Sequence, residues 1–253
     1  MQLTTNNLAM KTHFGFREVD KDEKAPLVKG VFDNVASKYD IMNDVMSMGT
    51  HRLWKDKFIR VLSPRDNSRL LDVAGGTGDI AFRFLKNTQN GSVTIADINH
   101  NMLREGYKNS IDKNIKGDIS WVCADAQYMP IPDNEYDYYT IAFGIRNVTD
   151  INAALAEAYR VLKPGGRFLC LEFSKVDNAI LQKFYDFYSF SVIPKMGEII
   201  ASDSGSYQYL VESIRKFPNQ ETFRQMIENN GFVNVRYINL SGGVVAIHSG
   251  WKI

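Results

Sequence analysis

Asp72, Gly75, Gly76, Thr77, Gly78 and Asp79 crowd into one short stretch, LLDVAGGTGDIA, residues 70–81. Glycines without side chains let backbone N–H groups come close to a ligand where a strand turns into a helix, an arrangement that commonly holds phosphate. Here, however, an acid stands on each side of the loop. Asp72 precedes it and Asp79 falls in the first helical turn, where a pyrophosphate would otherwise rest on the helix dipole, and two anions disfavour a third.

A ligand of mixed charge suits such a loop better. S-adenosylmethionine has no phosphate and carries a sulfonium and an amino group beside a single carboxylate. A dinucleotide stays open as the alternative, because Gly76-x-Gly78-x-x-Ala81 satisfies the Rossmann fingerprint with alanine in third place, and Asp97 follows at about the ~20-residue spacing of that pattern. Asp97 closes the run SVTIAD and Asp125 follows DISWVC, so each acid stands at the carboxyl end of a strand-like segment, where open α/β sheets bind ligands. Asp97 is suited to accept both hydroxyls of a ribose. Asp125, with the N–H of Ala126, is suited to the edge of an adenine. Either acid alone reads equally well as a helix cap; their succession after consecutive strands is what favours a ligand.

The elements that must position these residues follow from periodicity. From residue 26, VFDNVASKYDIMNDVMS and HRLWKDKFIRVL place apolar residues at three- and four-residue spacing, which predicts two amphipathic helices joined near Gly49. From Arg69 onward short apolar runs alternate with helical segments, which predicts a parallel sheet covered on both faces. The last two runs, FVNVRYINL and GVVAIHSGW, are joined by Ser-Gly-Gly, too short for a parallel crossover, so they should form an antiparallel hairpin. Residues 1–25 are polar with little periodicity and read as a loosely ordered arm, leaving 26–253 as one domain.

Composition excludes several classes. Lys and Arg number 30 against 29 Asp and Glu, so no global field steers the chain toward nucleic acid. No basic stretch followed by an apolar core opens the sequence and no apolar run is long enough to cross a bilayer, which predicts a cytoplasmic protein. Cys123 and Cys170 each lie in an apolar segment and read as reduced core residues. His13, His51, His100 and His248 lack ligand spacing, so no metal is expected.

The motifs D-V-A-G-G-T-G-D, A-D-I-N-x-x-M-L, D-A-x-x-M-P-x-P-D, G-I-R-N-V and R-V-L-K-P-G-G-R resemble, in order, those of class I S-adenosylmethionine-dependent methyltransferases. More narrowly, THFGF (12–16), YDIMNDVMSMGTHRLWK (39–55), FGIRNVTD (143–150), LEFSK (171–175) and DSGSYQYLVESI (203–214) resemble the UbiE/MenG family of ubiquinone and menaquinone C-methyltransferases nearly end to end. The glycine loop carries only the superfamily; the YDIMND, GIRNV and SYQYL segments carry the family. The resemblance implies a Rossmann-like α/β fold, its sheet mostly parallel with an antiparallel C-terminal hairpin, plus substrate-side helices at about 26–62 and in an insertion after the fifth strand, 177–216. It implies contacts to S-adenosylmethionine at Thr77, Asp97, Asp125, Ala126 and Ala142. At Ala142 relatives often have serine, so only a backbone contact carries over, and Met129 and Ile131 replace the commoner Leu and Phe.

The implied reaction is methylation of a ring carbon of a prenylated hydroquinone. Such a carbon is a modest nucleophile that needs alignment with the methyl group and help in losing a phenolic proton. Arg146 and Asn147, just beyond the fourth strand, are the candidates for that help: an always-protonated guanidinium could stabilise a phenolate or orient a water, with Asn147 holding the acceptor. The competing reading is a structural pair tying the strand to a helix capped by Asp150. Tyr39, Asp44 and Tyr207 are candidate acceptor contacts, with Asp40, His51 and Tyr209 behind them. The aromatic insertion FYDFYSFSVIP and the N-terminal helices are expected to line an apolar trough for the prenyl tail. Transient contact with the inner face of the membrane is then implied. The acceptor's ring type, membership of a quinone-biosynthesis complex, homodimerisation and a non-catalytic scaffold role all stay open on the sequence.

Overall fold

The structure is a computed structural model that describes residues 11–35, 43–44, 47, 49–176 and 204–253. Tyr39, Asp40 and the aromatic insertion therefore lie outside the described residues.

The chain enters through a small antiparallel hairpin, β1 (Lys11–Phe14) and β2 (Arg17–Asp20), and passes directly into α1 (Lys21–Val35). This corrects the expected loose arm over residues 11–25. Each hairpin strand has only four residues, too few for alternation to announce itself, and Gly15 at φ +60° makes the reversal. Next comes α2 (His51–Leu62), whose residues His51, Trp54, Lys55, Phe58, Ile59 and Leu62 are buried, a single stripe at helical spacing.

The Rossmann-like part then alternates: β3 (Arg69–Val73), α3 (Asp79–Lys86), β4 (Ser92–Asp97), α4 (His100–Asp112), β5 (Asp118–Cys123), β6 (Tyr136–Ala142), α5 (Ile151–Val161) and β7 (Leu162–Phe173). After α6 (Ser204–Lys216) and α7 (Gln220–Asn229), β8 (Val233–Leu240) and β9 (Val245–Trp251) finish the sheet. Its order is β5-β4-β3-β6-β7-β9-β8. Strands β3 to β7 pair in parallel, and β9 pairs antiparallel with both β7 and β8. The expected fold class, including the terminal hairpin, is thus found.

Strand alternation splits the core. Leu70, Phe84, Leu169 and Ile247 pack with α2, α3 and α6 on one face, while Leu71, Tyr139, Phe168 and Phe223 pack with α5 and α7 on the other. One expectation fails at the edge. Strand β5 has a single neighbour, so it is only partly covered, and Cys123 at its end is an exposed free thiol rather than a core residue; Cys170 in β7 is buried and also free.

From β3 the chain builds outward through β4 and β5, then returns to lay β6 on the other side of β3. The order reverses between β3 and β6. A crevice opens beyond their carboxyl ends, which is where such sheets hold ligands.

Candidate cofactor and acceptor site

The glycine loop begins where β3 ends. Ala74 takes a left-handed φ of 50°, unusual for a residue with a side chain. Gly75 follows with no room to spare: a Cβ there would lie 2.8 Å from Ile95 and 2.9 Å from both the carbonyl and a carboxylate oxygen of Asp72. The Gly75 N–H donates to the carbonyl of Ala96, and the Gly78 N–H donates to the Gly75 carbonyl, closing the turn into α3. On the far side, a Cβ on Gly144 would stand 2.4 Å from that of Ala74, so the segment after β6 presses directly on the loop.

Two hollows meet here, sharing Ala74 and Phe143. The first is lined by Gly76, Asp97, Ile98, Met102, Asp125, Ala126, Gly144, Asn147 and Thr149, and α1 covers it with Ala25, Val28, Lys29 and Phe32. Asp97 sits at its floor, one oxygen accepting the Gly76 N–H at 3.0 Å and the other the Asn99 N–H at 2.8 Å. Burial pushes its carboxyl up to about 6 against those two donors. Each oxygen keeps a lone pair, so a vicinal diol could still be accepted in bidentate fashion. Asp125 accepts from both the backbone and the side-chain amide of Gln127, whose carbonyl in turn takes the Asp150 N–H. The Asn99 side chain caps α4 and donates to Asp33 of α1 at 2.9 Å, which clamps the covering helix next to Asp97.

The second hollow is lined by Lys55, Asp72, Gly75, Thr77, Asp79 and Ala142. Asp72 is 1% exposed, yet only one of its oxygens is held by a side chain, the hydroxyl of Thr140 at 2.7 Å. The other oxygen has no hydrogen-bond partner of good geometry among the described residues. Burial, against the Thr140 hydroxyl and the Ala81 N–H, raises this carboxyl to about 7. Asp79 behaves oppositely: burial works to raise it, but Lys55 and then Arg83 outweigh that and hold it at about 2.

These charges amend the sequence argument. Asp79 is neutralised by Lys55 at 2.8 Å and by Arg83 at 2.8 Å, so repulsion by two free acids does not exclude a phosphate. What discriminates is the orphaned Asp72 oxygen, a buried acceptor that suits a cationic or N–H-bearing group and would repel an anion. An oxygen without a partner beside a glycine that tolerates no Cβ is a cradle for a charged amine, and the diol-accepting Asp97 stands next to it. The residues present therefore fit S-adenosylmethionine: Asp97 for the ribose, Asp125 with Ala126 for the adenine, Asp72 with Thr77 for the amino-acid tail.

The candidate catalytic pair divides. Asn147 lines the first hollow, and its carbonyl accepts the Tyr209 hydroxyl at 3.0 Å. Arg146 does not line either hollow. Its guanidinium is buried against β7, donating to Glu172 at 2.9 Å, to the Phe143 carbonyl at 2.5 Å and to Ser213 at 3.3 Å, and lies 5.6 Å from the Phe173 ring centre. Arg146 instead borders a third hollow, which shares Val148 and Thr149 with the first. Phe143, which borders both hollows, has a strained left-handed φ of 56°, and Arg146 pins its carbonyl in that conformation.

The remaining acceptor candidates fare differently. Asp44 is bound to its own neighbourhood, accepting from Arg52 at 2.6 and 2.9 Å and meeting His51 at 3.0 Å. Tyr207 is completely buried with α6 in the core, whereas Tyr209, ranked behind it, reaches Asn147 and stacks on Phe14 at 4.2 Å. Lys55, Asp33 and Glu172 were not singled out from the sequence. A lysine on the apolar stripe of HRLWKDKFIRVL and a glutamate inside the apolar run LCLEF are signals that could have found two of them.

A profile of the ubiE/COQ5 methyltransferase family matches residues 17–252. The chain belongs to that family. A C-methyltransferase from Ruegeria, named for ubiquinone/menaquinone biosynthesis, is 59% identical over 96% of this chain and 97% of its own length. A mitochondrial 2-methoxy-6-polyprenyl-1,4-benzoquinol methylase from zebrafish, Danio rerio, is 51% identical over 96% of this chain and 84% of its own. Among solved structures, an S-adenosylmethionine-dependent methyltransferase from Thermotoga maritima superposes with a TM-score of 0.63, covering 89% of this chain and all of that one at 18% identity, which speaks for the fold alone. As a ubiE/COQ5 member the chain is an S-adenosylmethionine-dependent C-methyltransferase, and the dinucleotide alternative falls away.

Proposed function

We propose that the acceptor is a ring carbon of a prenylated benzoquinol or naphthoquinol, as in ubiquinone and menaquinone biosynthesis. The names borne by the relatives at 51–59% identity support this acceptor class. The single structural observation behind the donor side is the buried Asp72 oxygen under the glycine loop, unpartnered among the described residues and adjoining a hollow floored by Asp97.

When bound, S-adenosylmethionine supplies an electrophilic methyl group. The chain's residues then have three tasks. Asp72, Thr77, Asp97, Asp125 and Ala126 fix the donor, so that the acceptor carbon attacks in line, an alignment that can supply about 7–11 kcal/mol in favourable cases. Asn147, oriented by the Tyr209 hydroxyl, holds the acceptor's hydroxyl edge, while Arg146 acts at one remove by holding Phe143. Transfer would form a carbon–carbon bond, break the donor's carbon–sulfur bond with its electron pair left on sulfur, and release the proton of the methylated ring carbon to solvent. Neither Asn147 nor Arg146 is a base, so water is the natural carrier.

Residues 26–253, with the first turn of α1 before them, read as one methyltransferase domain in which α1 and α2 border the two hollows. No helix among the described residues is long and apolar enough to cross a membrane, so a prenylated acceptor would be reached by peripheral contact. Phe16 at the hairpin tip and Leu53 on α2, 52% and 67% exposed, are candidates for that contact. Flotation with and without liposomes tests it. The acceptor itself is tested by offering reduced benzoquinols and naphthoquinols with labelled donor, and locating the label by mass spectrometry.

A further inference from the structure

The Asp72 oxygen accounts for one charge of an amino-acid tail and leaves the other, the carboxylate, without a recognised partner. Across the same small hollow stands Lys55. Its side chain is 6% exposed, on the mostly apolar inner stripe of α2, and Asp79 at 2.8 Å is its hydrogen-bond acceptor among the described residues. An ammonium has three N–H donors. Asp79 satisfies one of them among the described residues, and the hollow that Lys55 lines lies open to the other two. Asp79 does not depend on Lys55 for a partner, since Arg83 holds its other oxygen at 2.8 Å. A buried lysine is costly unless its remaining donors find an acceptor. The adjacent first turn of α3, whose leading N–H groups have no helical partners, adds positive potential on the same side.

The geometry points to Lys55 as the residue that binds the carboxylate of the S-adenosylmethionine tail, with Asp79 as a positioning residue that aims the ammonium into the hollow. This rests on the methyl-donor reading above. The hollow becomes a zwitterion clamp, with Asp72 facing the amino group and Lys55 the carboxylate. A pyrophosphate would find a use for Lys55 and none for Asp72, so the pair also selects against dinucleotides.

The test compares two ligands by calorimetry on the unreacted protein: S-adenosylmethionine and its decarboxylated analogue, which keeps the adenosine, sulfonium and amine. The wild-type chain should prefer the carboxylate-bearing ligand by about 10–100-fold, the range for one charge-assisted hydrogen bond. Lys55→Met should lose that much affinity for S-adenosylmethionine while binding the analogue within about threefold of wild type, so the preference collapses toward one. Lys55→Arg, which keeps the charge, should retain most of it. If Lys55→Met lacks a cooperative unfolding transition, Lys55→Met with Asp79→Asn, which removes the carboxylate left behind, carries the same comparison. An unchanged preference, or equal weakening of both ligands, overturns the proposal and leaves Lys55 a structural partner of Asp79. A wild-type chain that binds neither ligand overturns the methyl-donor reading instead.

Discussion

Replacing Arg146 by methionine should destabilise the protein in a way that depends on pH. The guanidinium and Glu172 form a buried pair whose side chains are 4% and 1% exposed. Breaking such a pair by deleting one member typically costs about 3–5 kcal/mol, because the surviving charge is left in a poor solvent. Glu172 can escape that state by protonating. Its carboxyl is already raised above its ordinary 4.5 by burial, with Arg146 and the Phe173 N–H pulling the other way, and without Arg146 it must rise further. A raised carboxyl in the folded state favours the protein at low pH and loses that advantage as pH climbs through the folded value. While Glu172 is protonated in both proteins, the variant lacks only its neutral contacts, a deficit of about 1–2 kcal/mol. Above the wild-type value the deficit should widen by about 1.4 kcal/mol per pH unit until the variant's own Glu172 ionises, reaching about 3–5 kcal/mol. Urea unfolding of both proteins across this range measures it. Adding Glu172→Gln should flatten the dependence. A deficit that is flat with pH, or below about 1 kcal/mol throughout, would refute the buried pair.

Three further outcomes follow from the same geometry. Asp72, raised to about 7 by burial, must shed its proton to receive an amine, so donor affinity should rise between about pH 5.5 and 7 with up to one proton released on binding; calorimetry in buffers of different ionisation enthalpy reads the proton, and Asp72→Asn should abolish it. Gly75→Ala places a Cβ 2.8 Å from Ile95 and 2.9 Å from the Asp72 backbone, which should cost about 1–3 kcal/mol in an unfolding titration and weaken donor binding. Tyr209→Phe removes the hydroxyl that orients Asn147 and should raise the acceptor KM about 2–10-fold with donor binding unchanged, measured in steady-state assays varying each substrate in turn.

The parts of the site legible in the sequence were those tied to strand ends. Asp72, Asp97 and Asp125 each close or follow an apolar run, and parallel sheets bring carboxyl ends together whatever the intervening helices do, so their convergence needed no tertiary information. Ala142 closes β6 by the same logic and lines the second hollow. The surroundings of Arg146 were not legible, because they depend on Glu172, 26 residues away on the neighbouring strand, and nothing local distinguishes a guanidinium that reaches a pocket from one folded back under it. Tyr207 and Tyr209 lie two apart on one helix and point differently, so a motif that contains both could not rank them. The repulsion assigned to Asp79 likewise vanished once α2 delivered Lys55 from 24 positions earlier. The hairpin at 11–20 escaped because its strands are too short for a periodic signal.

The most direct test of the methyl-transfer account is a single reaction: purified chain, methyl-labelled S-adenosylmethionine, and a reduced, demethylated prenyl quinol, with the product analysed by mass spectrometry and NMR. The label should appear on a ring carbon as a new carbon–carbon bond, one methyl per turnover. A label on oxygen, or full donor binding with no transfer to either quinol ring type, would contradict it.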